Sequence, residues 1–196
     1  METEKSRCHW CLGFEDYIKY HDEEWGVPSY SDQVHFEFLV LESAQAGLSW
    51  STILKKRQGY RKAFADFDYR IVAEFPESYV QELMQDAGII RNALKIKAAI
   101  NNAERFIQVQ DEFGSFSDYI WGFVGGKPIQ NNYTLTSEVP ATTEASDKLA
   151  RDLKKRGFKF LGSTTIYAHM QATGLVNDHL SSCFRYKEVQ KLASKE

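Results

Sequence analysis

Apolar positions along the chain recur at helical spacing. Ser31 and Asp32 can cap a helix running to about Ala46, with Val34, Phe38 and Leu41 on one face. Gly47 breaks that pattern, and Ser49 can open a second helix that turns Trp50, Ile53 and Leu54 inward. Pro76 suits a first helical turn, followed by the stripe Val80, Leu83 and Met84. Gly88 ends that segment. The longest pattern then runs through Leu94, Ile96, Ala99, Ile100, Ala103, Phe106 and Ile107. Two further helices are predicted, from Thr143 to Arg156 with Gly157 as the stop, and from Ser163 to Thr173 with Gly174 as the stop. Strand-like alternation is nearly absent and no internal repeat or linker interrupts the pattern. The expectation is an all-α fold, one domain over residues 1–196.

Composition narrows the class. Hydrophobic residues make up 43% of the 196 positions and aromatics 14%, which excludes a disordered chain and allows a site built from aromatic faces. No apolar run reaches the length of a membrane span, and the first ten residues lack the apolar core of an export signal. Three cysteines, an odd number, argue against a disulfide framework, so a cytoplasmic setting is expected. The formal net charge of -3 is not the global footprint of a nucleic-acid binder. Local charge matters more to a phosphate backbone. Lys55, Lys56, Arg57, Arg61 and Lys62 form one basic group, and Lys148, Arg151, Lys154, Lys155, Arg156 and Lys159 another. Either group also reads as a solvated helix face.

The two ends of the chain carry metal-ligand types. Cys8 and His21 lie near the start; His179 and Cys183 lie near the end, four residues apart, so that a helical turn would put both on one face. Two thiolates and two imidazoles suit a closed tetrahedral zinc site, structural because it leaves no position for water. Cys8 and Cys11 form an alternative local pair, and all of these residues also read as ordinary core or surface positions.

Three further features bear on chemistry. The segment Leu83–Arg91 joins two predicted helices through a Gly-containing turn, which can aim backbone N–H groups at a phosphate without reading sequence, although most such turns only join helices. Arg91, Lys95 and Lys97 add positive charge there. Trp10, Tyr17, Tyr20, His21 and Trp25 fall within sixteen residues, and Glu42 interrupts an otherwise apolar helix. Aromatic walls with one polar anchor are what a pocket for an extruded base requires. A solvated Glu42 beside an aromatic core fits the composition equally well.

A family pattern runs through the same residues. The stretches Arg7-Cys8-His9-Trp10, Tyr20 to Pro28, Leu41-Glu42, Gln45 to Trp50, Leu54 to Arg57, Asp86 to Arg91, Lys154 to Gly162 and Gly174 to His179 occur in this order. Over nearly the whole chain, Arg7 to Cys183, the sequence resembles the 3-methyladenine DNA glycosylase I family. The resemblance implies a helix-hairpin-helix glycosylase fold with the hairpin at about residues 77–107. It also implies that the termini, 1–30 and 163–185, pack together at one structural Zn2+ per chain held by Cys8, His21, His179 and Cys183. Cys8 stands two before Trp10, as the family ligand does, which favours it over Cys11. Glu42 and Tyr20 would read the polar edge of the flipped base, with Trp10, Tyr17 and Trp50 lining the pocket around it. Gly47 and Leu48 would enter the duplex where the base has left, and Gly88 and Arg91 would meet the backbone. The implied partner is double-stranded DNA containing alkylated adenine, with no membrane, and the implied enzyme is a monomeric, monofunctional hydrolase of the N-glycosidic bond.

The chain departs from the family at Glu23, at Ala44, where Gln is common, and at Asn92-Ala93-Leu94, where basic residues are common. The last two departures encourage a different reading, a zinc-held module that binds alkylated DNA without cutting it. A zinc hydrolase is a third class, and it would need an open coordination position.

Overall fold

The computed structural model describes residues 5–192, so the first and last four positions of the expected domain lie outside the described residues. Ten helices are described: α1 Glu15–Glu23, α2 Asp32–Gln45, α3 Trp50–Ala63, α4 Tyr69–Ala73, α5 Glu77–Leu83, α6 Ala93–Phe113, α7 Phe116–Trp121, α8 Glu144–Lys155, α9 Ser163–Ala172 and α10 Phe184–Leu192. A pair of two-residue strands, β1 Ile129–Gln130 and β2 Val176–Asn177, runs parallel and is the described residues' one departure from an all-helical chain.

The predicted caps form. Ser31 Oγ accepts from Val34 N, Ser49 Oγ from Thr52 N, and Thr143 Oγ1 from Ser146 N, each satisfying a donor that a helix start leaves open. Asn92 Oδ1 accepts from Leu94 N and Lys95 N and so caps α6. Asp32 does more than start α2, because its carboxylate also accepts from Phe116 N and Ser117 N at the head of α7.

Helix α2 differs from its predicted one-sided pattern. Every residue from His35 to Ala44 is buried, since the helix lies between α3, α6, α7 and α9. Its polar residues therefore need partners inside. Glu37 receives Arg57 at 2.7 Å and Arg61 at 3.1 Å, and Arg57 also reaches Glu24, tying α1, α2 and α3 together. His35 Nδ1 faces His169 Nε2 of α9 at 3.2 Å, and its Nε2–H donates to Ser29 O. Around α2 the core centres on Phe36, Phe106 and Phe116, the last two stacked at 4.1 Å. Each such ring contributes roughly 2–3 kcal/mol by leaving water.

Helix α5 ends earlier than expected, at Leu83, and Gly88 sits in the turn beyond it. That turn is docked on α3. Gly59 passes so close that a Cβ there would lie 2.2 Å from Gly88 O, Lys56 Nζ donates to Ala87 O at 2.6 Å, and Ile90 N donates to Tyr60 Oη at 3.2 Å. Replacing Gly59 by Ala should improve the helix by about 1 kcal/mol. The collision is with backbone, however, and overpacking of this kind costs about 1–3 kcal/mol. Gly59→Ala is therefore expected to lower the melting temperature by several degrees; a Tm equal to or above that of the parent protein would show that the turn is not held against α3.

Candidate functional site

Two adjoining features lie where α1, α2, α3 and the 174–183 segment meet. The first is a group of four ligand types. Cys8, His21, His179 and Cys183 are all buried, and one ligand atom from each lies within 4.8 Å of the others. Cys183 Sγ is 3.5 Å from His21 Nε2 and 3.7 Å from His179 Nδ1, and Cys8 Sγ is 3.9 Å from His179 Nδ1. A tetrahedral zinc with bonds of about 2.3 Å to sulfur and 2.0–2.1 Å to nitrogen places neighbouring S and N atoms roughly 3.6 Å apart. The spacing fits such an ion. So does the outer shell: His21 Nδ1–H donates to Asp22 Oδ1 at 2.8 Å and His179 Nε2–H to Trp25 O at 2.9 Å, leaving the opposite ring nitrogens to face the thiols. Arg7 in turn grips Asp22 with a bond of 2.8 Å. Hydrogen bonding to Cys183, together with burial, pushes the Cys8 thiol up, while the hydrogen bond from Cys8 pulls Cys183 down toward a thiolate.

The route to this geometry differs from the predicted one. Residues 178–183 are not helical; Cys183 N donates to Leu180 O in a turn, and that turn brings His179 and Cys183 to one side. Cys11, the alternative ligand, stays outside the group, and its thiol donates to Cys8 O.

The second feature is a cavity of about 230 Å³ lined by Trp10, Tyr17, Tyr20, Trp25, Glu42, Gln45 and Trp50, and on its far side by Thr136, Val139, Ala168, Gln171, Asp178 and Leu180; Cys8 touches it too. All five residues predicted for the base pocket meet here. Their rings pack mainly at angles: Trp10 lies 5.1 Å from Tyr17 and 4.9 Å from Trp25, and Tyr20 lies 5.5 Å from Trp50. Trp25 and Gln45 were not predicted as lining, although Gln45 follows Glu42 by three positions on one helix face, a spacing visible in the sequence. Thr136 opens and Val139 closes a single 3-10 turn, Thr136–Glu138, that carries no comparable signal.

Glu42 is 5% exposed and has no hydrogen-bond partner among the described residues. Burial alone pushes its carboxyl up to about 8. Burial and the nearby Glu42 charge hold the Tyr20 hydroxyl well above its ordinary value. Asp178, the cavity's second carboxylate, is satisfied by Asn131, Tyr167 and Gln171. The Trp50 indole N–H is buried without a partner among the described residues.

The residues predicted to touch DNA stand outside the cavity. Leu48 is 41% exposed, one turn beyond Gln45, and Leu48 N donates to Gln45 O. Gly88 N is taken by Asp86 Oδ1 and Ile90 N by Tyr60, so those two amides are spent within the protein; the Ala87 and Arg91 amides have no partner among the described residues. Arg91 is exposed. Lys97 pairs with Glu77, and Arg57, Arg61 and Arg156 pair with carboxylates, which removes much of the predicted basic character. Ala44 points away from the cavity into a small apolar gap beside Tyr60 and Ile96, and Glu23 is exposed, so neither departure alters the pocket lining.

The chain is 49% identical over 180 residues to DNA-3-methyladenine glycosylase 1 of Escherichia coli (strain K12), covering 92% of this chain and 96% of that protein. A crystal structure of 3-methyladenine DNA glycosylase I superposes with a TM-score of 0.89 at 47% identity, covering 91% of this chain and 98% of the other. A tyrosine-to-phenylalanine variant of such an enzyme, in complex with 3-methyladenine, superposes with a TM-score of 0.88 at 36% identity, covering 91% and 96%. These likenesses define a glycosylase enzyme. The chain belongs to the methyladenine glycosylase family, whose sequence model matches residues 10–186.

The raised Glu42 pKa has a consequence for folding. An acid with a folded value of about 8 and an ordinary value of 4.5 adds nothing adverse below pH 4.5, and it progressively destabilises the fold as pH rises from 4.5 through 8. At pH 7 the penalty is roughly 2–4 kcal/mol. Glu42→Gln should therefore melt higher than the parent protein at pH 7.5 and at nearly the same temperature at pH 4; a pH-independent difference would show that the carboxyl is not buried as described.

Proposed function

We propose that this protein hydrolyses the N-glycosidic bond of 3-methyladenine in double-stranded DNA, flipping the base into the aromatic cavity and leaving an abasic site without strand cleavage. The observation that carries this reading is Glu42, a carboxylate buried without a hydrogen-bond partner in a cavity walled by Trp and Tyr. Such a group lacks a counter-charge, and a base made cationic by N3 methylation supplies one. Normal adenine is neutral and does not. Electron-rich Trp10, Tyr17, Tyr20 and Trp50 add cation–π attraction of about 0.5–2 kcal/mol per favourable face. 3-Methylguanine bears the same ring charge and falls within the same reading.

The chemistry asked of the protein is modest because the methylated base leaves as a neutral molecule. Glu42 and Tyr20 orient it through its polar edge while water attacks the anomeric carbon. Among the described residues no lysine lines the cavity, which supports hydrolysis over amine attack and hence an enzyme without lyase activity. Leu48, exposed between the cavity-lining Gln45 and Trp50 in sequence, is assigned as the wedge that fills the gap left in the duplex. The turn at Ala87–Arg91 with α5 and α6 is assigned as the helix-hairpin-helix element, meeting one phosphate through its unpartnered amides and Arg91. We read residues 1–196 as one glycosylase domain, monomeric and cytoplasmic; no described helix is long and apolar enough to cross a membrane.

We assign the Cys8–His21–His179–Cys183 group to structural zinc, one ion per chain. When bound, the ion contributes cross-linking and no chemistry, because four protein ligands fill a tetrahedral site. Elemental analysis should find one zinc per chain, and Cys183→Ala should lose the metal and melt markedly lower. A metal-free parent protein with unchanged stability would remove this assignment.

Free 3-methyladenine released from alkylated duplex tests the activity. Glu42→Gln is expected to stay folded and lose excision by roughly a hundredfold or more. In the parent protein kcat/KM should rise with pH up to about 8 and then level, as the free enzyme's carboxyl ionises, and the variant should lack that dependence. Tight binding of alkylated duplex without base release would favour a non-catalytic reader instead.

A further inference from the structure

Lys95 lies in the first turn of α6 but acts on another element. Its Nζ donates to Ala44 O at 2.8 Å and to Ala46 O at 2.6 Å, at the C-terminal end of α2. Carbonyls there lack partners within the helix, and a cation meets the negative end of the helix dipole. Burial pulls the ammonium below its ordinary pKa, consistent with a group directed into protein. Immediately beyond, Ala46 (φ -45°, ψ 115°) and Gly47 (φ 81°) form the two central positions of a type II turn closed by the bond from Leu48 N to Gln45 O. The turn is otherwise poorly held. A Cβ on Gly47 would meet nothing within 4 Å, and Leu48 is 41% exposed. Among the described residues the bond from Lys95 to Ala46 O is the only hydrogen bond to this turn from another element, and the bond to Ala44 O holds the last turn of α2 just before it.

We propose that Lys95 is a positioning residue that clamps the Ala46–Leu48 turn at the cavity rim, so that Leu48 is already ordered when a base leaves the duplex. The proposal rests on Leu48 acting as the wedge. An unclamped turn would be ordered only at the moment of insertion, and that entropy would be charged to the excision barrier. The clamp also gives Lys95 a role other than phosphate binding, since two of the ammonium's three donors already point at carbonyls.

The test uses Lys95→Met, Lys95→Arg, Leu48→Gly and the Lys95→Met/Leu48→Gly double variant in the full chain. Single-turnover base release from alkylated duplex is measured with free 3-methyladenine affinity and the salt dependence of binding to undamaged duplex. Lys95→Met should release base roughly ten- to a hundredfold more slowly, keep its affinity for the free base, and keep the parent salt dependence. Lys95→Arg should recover most of the rate, and adding Lys95→Met to Leu48→Gly should cause little further loss. If Lys95→Met melts below the assay temperature, Lys95→Gln carries the same comparison.

A salt slope reduced by about one would assign Lys95 to a phosphate and overturn the clamp. So would a full additional loss in the double variant, or a Lys95→Met rate equal to the parent's while Leu48→Gly is impaired. Full activity in Leu48→Gly would instead remove the wedge itself, and the clamp with it.

Discussion

Two thiols and two imidazoles, from residues as much as 175 positions apart, are held within bonding range of one point. Phe184 N–H donates to Ser6 O at 2.9 Å beside them, so the start of the chain and the segment after α9 meet here, and the aromatic cavity is built on that junction. Trp10 stands between the two, its ring 5.3 Å from His21 on one side and 5.1 Å from Tyr17 on the other. His179 fastens the backbone at Trp25, which is itself a cavity wall, and Gly26 at φ 80° leaves space for that imidazole, since a Cβ there would lie 3.1 Å from the ring. Closing so long a loop is costly in chain entropy. The proposed zinc cross-link at the junction would offset that cost in the part of the molecule that must keep its shape.

A rigid cavity matters because Glu42 is costly to bury. A carboxylate with solvent or a lysine beside it would be comfortable and would discriminate little. Enclosed by rings and left unpaired, it is held partly neutral, and on the proposed reading a cationic ring would change its ionisation on binding. On the proposed reading, selectivity would arise mainly from the difference between a charged and a neutral purine in the same slot. The second carboxylate, Asp178, lacks this property because three donors already satisfy it. Two acids share one cavity, and their surroundings separate their roles.

What the sequence made legible was local. The serine and threonine caps, the stops at Gly157 and Gly174 and the long apolar pattern of α6 are short-range signals, and they are where expected. The four ligand types and the aromatic set were visible as well, because few residue types supply that chemistry. Less legible was anything decided by a distant neighbour. Helices α4 and α7, at five and six residues, are too short for periodicity to show. The burial of α2 on all sides depends on four other helices, and no pattern in its own residues announces it. His179 and Cys183 have helical spacing yet meet through a turn. Lysine and arginine were least legible of all: Lys95, Lys97 and Arg57 look alike in a charge count, yet Lys95 meets helix-end carbonyls, Lys97 an exposed Glu77 and Arg57 the buried Glu37.

That internal use of charge bears on how a protein of net charge -3 engages DNA. With many cations spent on carboxylates and carbonyls, long-range attraction is a weak source of affinity. The structure offers geometry in its place. Helix α3 carries Trp50 of the cavity at its first position and, through Lys56, Gly59 and Tyr60, holds the 86–90 turn near its far end. Lys95, just past that turn, reaches back to the end of α2, three residues after Glu42 begins the cavity-lining stretch that Gln45 completes. The proposed phosphate contact, the proposed wedge and the base slot are thereby fixed to one another by two short bridges. On the proposed reading, a duplex that meets the turn in register would bring its damaged base toward the slot, and the binding energy that charge would have supplied uniformly would be reserved for bases whose own charge Glu42 can use.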